Sequence, residues 1–436
     1  MPTIAFATLG CRVNQYDTDS MRGLFLKAGF TEAPFGEAAD VYIINTCSVT
    51  QVGEKKSRQL IRRTKKRNTA AKVIVTGCYA QLNPELLTSM PEVDAVVGTN
   101  ERKHIVSIVQ ELLGEGDEEE KITAVHDARR KDEFEEIPLY PSAVEHTRAD
   151  LKIQEGCNNF CSYCIIPYTR GALKSRQPDA IIAEAKRLSQ AGFKEVVLTG
   201  IHLGAYGRDL PEKPTLAQIL RRLVAETDIS RIRMGSIESL EIGDDMIDAM
   251  NSSDRICPHL HLPLQSGSDA VLKAMNRHYN KQEYMDLIAR LRQSIHGLTV
   301  STDLILGFPG ETEEDFAETM DTLEKLKFSH IHAFPYSARR GTPAAAMKNQ
   351  VETAVKKRRV ELVNELSQRQ KAALLQSLVG KTAQVLIEKQ EGNTGEGFSE
   401  NYERVCVENL PASAQGTIVS AYLTAADDHK LYGKMA

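Results

Sequence analysis

Short β-rich runs alternating with helix-forming stretches constrain this chain most, because such alternation calls for parallel strands joined by covering helices. Within residues 4–112 the runs IAFATLG, VYIINT, KVIVTG and DAVVG are separated by the stretches 17–28, 52–67 and 101–112. That is the pattern of an open parallel α/β sheet. The rhythm stops over 114–146, where GEGDEEEK and then RRKDEFEE have the composition of a solvated linker. It resumes with LKIQE, EVVLTGI, RIRMGS, HLHLPL, TVSTDLILGF and HIHAFPY. These make six βα-like units, fewer than a complete eight-unit barrel. A charged amphipathic stretch at 351–378, carrying Leu362, Leu366, Leu374 and Leu378, then leads into AQVLIE, RVCVEN, GTIVSAYLT and KLYGKM, which read as short strands. The expected fold is α/β: an N-terminal open parallel α/β domain (1–114), an acidic linker (115–145), a central partial (β/α)6 barrel (146–375) and a small C-terminal all-β module (376–436).

A chain of 436 residues exceeds what one hydrophobic core organises, which agrees with that division. Its net charge of −5 neither demands nor excludes a polyanionic partner. The N-terminal Met-Pro-Thr-Ile-Ala-Phe-Ala has no charged leader, and no apolar run approaches the roughly 20 residues of a membrane span. A cytoplasmic location without a membrane partner is expected. Eight cysteines are too sparse for a disulfide scaffold, so those that cluster read as metal or catalytic thiols.

Cys157, Cys161 and Cys164 stand at C-x3-C-x2-C spacing just after a β-rich run, where barrels of parallel strands place their ligands. Thiolate clusters select iron–sulfur centres or zinc, and a closed site needs a fourth ligand. No fourth cysteine is near; His202 or a distant cysteine would complete a zinc site, whereas a [4Fe–4S] cube on three thiolates keeps one iron open. Cys11, Cys47 and Cys78 each end a β-rich run, as Leu9-Gly10-Cys11, Asn45-Thr46-Cys47 and Thr76-Gly77-Cys78. Strand ends of an open parallel sheet share one edge, so these thiols either meet there or fill small buried positions by coincidence. Cys257 and Cys406 are isolated and read as packing residues.

The triplet spacing, with Tyr163 before the last cysteine, resembles the hallmark of the radical S-adenosylmethionine superfamily. That resemblance implies a [4Fe–4S] cluster on Cys157, Cys161 and Cys164 whose open iron chelates S-adenosylmethionine, and reductive cleavage of the cofactor to methionine and a 5′-deoxyadenosyl radical. Along nearly the whole chain, GCRVNQYDTD, NTCSVT, VTGCYAQ, GCNNFCSYCIIPYTRG, HLPLQSGSDAVLKAMNRHY and DLILGFPGET are similar to the methylthiotransferase family. The family implies a second [4Fe–4S] cluster on Cys11, Cys47 and Cys78, making six catalytic, metal-binding cysteines, and a TRAM-like C-terminal module. It further implies a tRNA substrate held at the anticodon loop and an external electron donor. By the same resemblance Tyr163, Gly200, Arg233, Ser236, Glu238 and Gln265 line the cofactor site; Pro263 and Gln265 sit in a segment that also reads as a turn and cap.

LGCRVNQYDTD with NTCSVT resembles the branch acting on threonylcarbamoyladenosine in tRNA. The isopentenyladenosine branch shows Gln-Met after its first cysteine and the ribosomal-protein branch Pro-Lys, where this chain has Arg12 and Val13. The implied reaction converts N6-threonylcarbamoyladenosine at position 37 to its 2-methylthio form with two S-adenosylmethionine per turnover. One gives methyl to sulfur at the second cluster, and the other yields the radical that takes hydrogen from C2. The alternatives are isopentenyladenosine or a ribosomal-protein aspartate as target, or a non-catalytic zinc or iron–sulfur RNA-binding protein. LGFPGET lacks the G-K-[ST] of a phosphate loop. Residues 55–67, with eight basic side chains, and Lys356 to Arg359, with four, are solvated helix faces or RNA contacts. From 376 to 436 there are eight acidic residues against five basic, so RNA positioning there would rest on shape. Phe398 and Tyr402 are candidates to stack on bases or to pack in the small core.

Overall fold

The computed structural model describes residues 1–48, 51–114, 121–130, 133–144 and 146–436. Strands β1 (Thr3–Thr8), β2 (Thr31–Glu32), β3 (Val41–Thr46), β4 (Lys72–Gly77), β5 (Ala95–Val97) and β6 (Ile122–Ala124) form one sheet in the order β2-β1-β3-β4-β5-β6. All its pairings are parallel. β3 is buried at every position, as a strand covered on both faces must be. Helix α1 (Arg12–Lys27) sends Met21 and Phe25 into the core on one side, and α2 (Gln51–Arg67) sends Ile61 into the core on the other.

The stretch expected to be an acidic linker is partly structured. β6 is the edge strand of the first sheet, and Ala128, Ile137, Leu139 and Ala143 are buried. These scattered apolar side chains outweigh the charged composition around them. The acidic residues 115–120, with 131, 132 and 145, lie outside the described residues.

The central strands are β7 (Arg148–Lys152), β8 (Gln154–Glu155), β9 (Lys174–Ser175), β10 (Glu195–Thr199), β11 (Arg231–Met234), β12 (His259–His261), β13 (Thr299–Leu306) and β14 (His330–Pro335). Two parallel sheets, β7-β10-β11 and β12-β13-β14, are joined by the bridges Ile232 to Ile256 and Ser236 to His261. The result is the expected six-stranded partial barrel, and among the described residues β7 and β14 do not pair. β8 and β9 form a short antiparallel pair that brackets the cysteine loop.

The helix Thr353–Leu378 straddles the expected boundary at 375: Val363 and Leu366 belong to the central core and Leu375 to the C-terminal one. The backbone N–H of Ile331 on β14 donates to its Ser367 hydroxyl at 3.1 Å. Beyond it, β15 (Thr382–Glu391), β16 (Thr394–Ser399), β17 (Arg404–Glu408), β18 (Ile418–Ala426) and β19 (Leu431–Met435) close a barrel in the order β15-β16-β17-β19-β18. Closure leaves no edge strand. No helix among the described residues is long and apolar enough to cross a membrane.

Candidate active site

The loop carrying Cys157, Cys161 and Cys164 is tied down by backbone and side-chain hydrogen bonds. Cys157 N donates to Gly171 O at 3.1 Å, Ser162 N to Met275 O at 2.9 Å, and Ala344 N to Ser162 O at 2.8 Å. Asn276 Nδ2 donates to the carbonyls of Asn159 and Phe160 at 3.3 and 3.2 Å. Gly156 has φ +72°, and a β-carbon there would stand 1.8 Å from Ala172 O, so the loop entrance accepts no side chain. Around the thiols, Asn159 N donates to Cys157 Sγ at 3.4 Å and Arg277 Nη1 to Cys161 Sγ at 3.5 Å. His202 Nδ1 lies 3.5 Å from Cys157 Sγ, while its Nε2 is 2.9 Å from Glu241. Burial opposes charge on this imidazole, but Cys157 and Glu241 outweigh it and push its pKa to about 9. Burial raises the Cys161 thiol against the pull of Arg277, and raises that of Cys164 to about 12.

Glu238 pairs with Arg277, and both line a small cavity with Cys161, Glu241 and Tyr279. The expected cofactor residue Glu238 is thus brought to the cysteine loop. Tyr163 packs beside Val271, Met275 and Phe308, and burial pushes its phenol well above the usual range although Arg277 opposes this. Gly200 lies against Gln154, whose Oε1 would be 2.9 Å from an added β-carbon; that oxygen accepts from His202 N at 2.6 Å. Gln265 adopts φ +66° and exchanges backbone hydrogen bonds with Asp303 and Ile305. Pro263 gives its carbonyl to Tyr279 Oη at 3.0 Å. Ser236 is exposed beside its bridge to His261.

Arg233 is not brought to the cysteines. Its Nε donates to Glu195 at 2.8 Å and its two Nη atoms to the carbonyls of Ser399 and Glu400, each at 3.0 Å. The guanidinium is therefore spent on fixing the C-terminal barrel and cannot hold the cofactor as expected. The partner it holds is the loop bearing Tyr402, whose ring stacks on Phe398 at 4.9 Å and lies 4.7 Å from Arg233 and 5.4 Å from Arg148. Tyr402 Oη accepts from Arg12 Nη2 at 2.7 Å. Both aromatics considered for base stacking are thus packed against barrel arginines.

In the first sheet, Gly10 (φ +115°) and Gly77 (φ +92°) turn the chain at the ends of β1 and β4. Cys11 then caps α1, and Cys78 opens the short helix α3 (Cys78–Leu82). Cys47 Sγ is 3.2 Å from where a β-carbon on Gly10 would stand, so the thiols after β1 and β3 converge. Cys11 is exposed into a cavity of about 620 Å³ that Arg12, Arg148 and Asp150 also line. Burial raises the Cys11 thiol against the nearby Arg170.

Arg170 ties the segment that follows the cysteine loop to the first thiol set. It lies six residues beyond Cys164, is fully buried, and its Nε donates to Cys78 Sγ at 3.3 Å. Its Nη1 pairs with Asp17 at 3.0 Å and with Glu155, and its Nη2 donates to Asn14. Arg102 and Lys152 complete the network through Asp17 and Glu155. Neither Arg170 nor Arg277 was singled out from the sequence, although each stands in a segment that carries the family resemblance, GCNNFCSYCIIPYTRG and HLPLQSGSDAVLKAMNRHY.

Neither thiol set resembles a mononuclear site. Tetrahedral zinc with bonds of about 2.3 Å brings sulfurs to about 3.8 Å of one another. Among the described residues the group whose ligand atoms all lie within 4.8 Å is His261, Asp303 and His332. Wider sets of three thiols, with no carboxylate among them, fit a cubane open at one iron. In LGFPGET the amides of Gly307 and Phe308 donate to Glu311 at 2.8 and 3.1 Å, which leaves them no phosphate to hold. Cys257 is buried within the barrel, and Cys406 lies on β17.

Comparison with known proteins agrees with this geometry. The Radical SAM superfamily model matches residues 151–323, and that of uncharacterized protein family UPF0004 matches 3–98. A threonylcarbamoyladenosine tRNA methylthiotransferase MtaB of Bacillus subtilis (strain 168) is 43% identical over 93% of this chain and 90% of its own length. A tRNA-2-methylthio-N(6)-dimethylallyladenosine synthase of Thermoanaerobacter sp. (strain X514) is 39% identical over 87% of this chain and 81% of its own. Among solved structures, the radical S-adenosylmethionine methyltransferase TsrM from Kitasatospora setae shares the fold, with a TM-score of 0.57 at 14% identity over 79% of this chain and 75% of that one. The chain belongs to the methylthiotransferase family of radical S-adenosylmethionine enzymes, and with that membership come S-adenosylmethionine and a [4Fe–4S] cluster.

Proposed function

We propose that this enzyme converts N6-threonylcarbamoyladenosine at position 37 of tRNA to its 2-methylthio derivative. The observation that carries the reading is the pair of thiol triplets at strand ends, with buried Arg170, six residues beyond Cys164, donating to Cys78 of the other triplet. Cys157, Cys161 and Cys164 would hold the cluster that binds S-adenosylmethionine, and Cys11, Cys47 and Cys78 a second one. A [4Fe–4S] centre with an open iron supplies reductive cleavage of S-adenosylmethionine when bound. Glu238 and Arg277 orient the cofactor's polar groups beside Cys161, and Gly200 permits close backbone approach. Arg170 keeps a fixed positive charge against Cys78 where thiolate must persist.

The target base is drawn from the relatives' chemistry, with the B. subtilis protein the more similar of the two. The dimethylallyl relative keeps an apolar substituent as the second reading. A tRNA partner also agrees with the outward face of α2, where Lys55, Lys56, Arg62, Arg63 and Lys66 are exposed. The second basic stretch contributes less, since Arg359 is buried against Glu311. Residues 1–114 would carry the sulfur-donating site, 146–375 the radical site and 376–436 the RNA-positioning module, with an external electron donor.

Anaerobic reconstitution followed by iron, sulfide and tRNA nucleoside analysis tests this. We expect about eight irons per chain, product from threonylcarbamoyl tRNA, and loss of product in both Cys161→Ala and Cys47→Ala. Only Cys161→Ala should also abolish cofactor cleavage. Modification retained by Cys47→Ala would overturn the second site, and product formed only from dimethylallyl tRNA would replace the substrate.

A further inference from the structure

His261, Asp303 and His332 form a group of metal-ligating side chains that the thiol sites leave unused. They stand on β12, β13 and β14, neighbouring parallel strands whose register sets His261 opposite Ser301 and Asp303 opposite His332. Alternate residues of a strand share a face, and Leu260, Val300, Leu304 and Ile331 of these strands share one core with Ile288, Leu291, Phe316 and Leu323 of the covering helices. The three polar residues alternate with these, so they present the other face, the inside of the barrel. The sheet itself brings two imidazoles and a carboxylate together there, with no loop or hinge between them.

The ligand atoms of the three all lie within 4.8 Å of one another, and His261 Nε2 is 3.1 Å from Asp303 Oδ2. Two donors bonded to one cation at about 2.0–2.1 Å stand about 2.9–3.4 Å apart for angles from octahedral to tetrahedral, so this pair already has the spacing of two ligands. Rotation of the exposed His332 ring closes the remaining gap. On its other side the His261 ring is held, its Nδ1 lying 2.9 Å from the hydroxyl of buried Ser301. With Nδ1–H donated to Ser301, Nε2 turns a lone pair toward the carboxylate. That is the tautomer a metal requires, and the kind of outer contact that fixes ligating histidines. Asp303 pairs with no lysine or arginine among the described residues, and its side chain is 30% exposed, so a cation can reach it from solvent and none of the chain's own is fixed there.

Donor chemistry separates this group from the thiols. Thiolate sets take iron–sulfur clusters, whereas two imidazoles and one carboxylate suit zinc and other first-row divalent ions. We propose that His261, Asp303 and His332 bind one divalent first-row cation, for which zinc is the probe, at a site inside the barrel separate from both thiol triplets. Three protein ligands leave at least one coordination position for water or for an oxygen of a bound molecule. Ser301 is the positioning residue, acting through His261. The site depends neither on a second cluster nor on the identity of the target base.

The experiment uses the anaerobically reconstituted full chain, so that the cysteines are taken by cluster iron, desalted over a chelating resin and dialysed against graded Zn2+. Zinc and iron are measured in the same samples, and zinc K-edge absorption reads the donor atoms. We expect about one saturable zinc per chain, with nitrogen and oxygen at about 2.0–2.1 Å and no sulfur at about 2.3 Å. Asp303→Asn and His332→Phe, the latter keeping the ring contacts to His330 and Phe334, should each weaken zinc by more than about a hundredfold. Ser301→Ala, which keeps all three ligands, should weaken it by about tenfold. Iron content equal to wild type separates a lost site from a lost fold, and the wild-type spectrum decides where a variant does not fold. No saturable zinc in wild type, a sulfur shell around it, or full affinity in the ligand variants overturns the proposal.

Discussion

Replacing Arg170 by methionine removes the one side chain that touches Cys78 and the charged groups of two domains at once. Arg170 is fully buried, and the groups around it balance: Arg102, Lys152 and Arg170 against Asp17, Glu155 and Glu135. Without it, one buried negative charge is uncompensated. Breaking a buried pair from one side costs about 3–5 kcal/mol. Asp17 retains Arg102 and Lys152, and Glu155 retains Lys152 at 3.0 Å and Arg102 at 3.3 Å, so the lower end, about 3 kcal/mol, is expected. With a urea slope of about 3 kcal/mol/M, the midpoint falls by about 1 M. Arg170→Lys should fall between, since one ammonium cannot serve a sulfur, an amide oxygen and two carboxylates in the same plane. Anaerobic urea titration gives the midpoint, and iron analysis along the titration gives the order of loss. The N-terminal domain contributes Asn14, Asp17 and Arg102, so iron at the proposed second site should leave before that of the 157/161/164 loop. A midpoint unchanged from wild type, or simultaneous loss of all iron, refutes the reasoning. The double variant with Asp17→Asn should be less destabilised than the sum of the singles, because the two share one network.

Three further outcomes follow from the same geometry. Gly156→Ala forces a β-carbon against Ala172 O and should cost the iron of the 157/161/164 loop, about half of what the two proposed clusters hold; a full complement in the purified variant contradicts that. Tyr402→Ala removes the hydroxyl held by Arg12 and the ring between Phe398 and Arg233, a loss of about 3 kcal/mol. Limited proteolysis should then release the C-terminal barrel faster than in wild type, and equal rates would count against the packing role. Burial, helped by Arg233, holds His259 neutral, with its pKa well below the ordinary 6.5. The unfolded chain binds that proton first as pH falls, so stability present at pH 7 is lost below about 6.5 at up to about 1.4 kcal/mol per pH unit. His259→Gln should flatten the slope between pH 7 and 5, and identical slopes would exclude His259 as its source.

The cysteines were legible because their chemistry and their place coincide: Gly10-Cys11 and Gly77-Cys78 mark strand ends in the string of residues itself. Strand count was equally readable, since six β-rich runs became six barrel strands. Arg233 was not. In a strand, alternate residues share a face, but nothing in RMGSIES says which end of the barrel a long side chain reaches, and Glu195 with the carbonyls of Ser399 and Glu400 claims it. Arg170 and Arg277 were hidden for a related reason, since a buried guanidinium is defined by partners scattered from Asn14 to Glu238. The linker reading failed at β6 because three residues suffice for an edge strand.

The bond from Arg12 to Tyr402 spans 390 positions. At roughly 5–20 residues per second a ribosome needs roughly 20–80 s to travel that distance. For that interval the first sheet exists beside Cys11 while the residue that anchors Arg12 has yet to be made. The native surroundings of the first thiol set therefore wait on a residue translated long after the set itself, and completion of that site is timed by the synthesis of Tyr402.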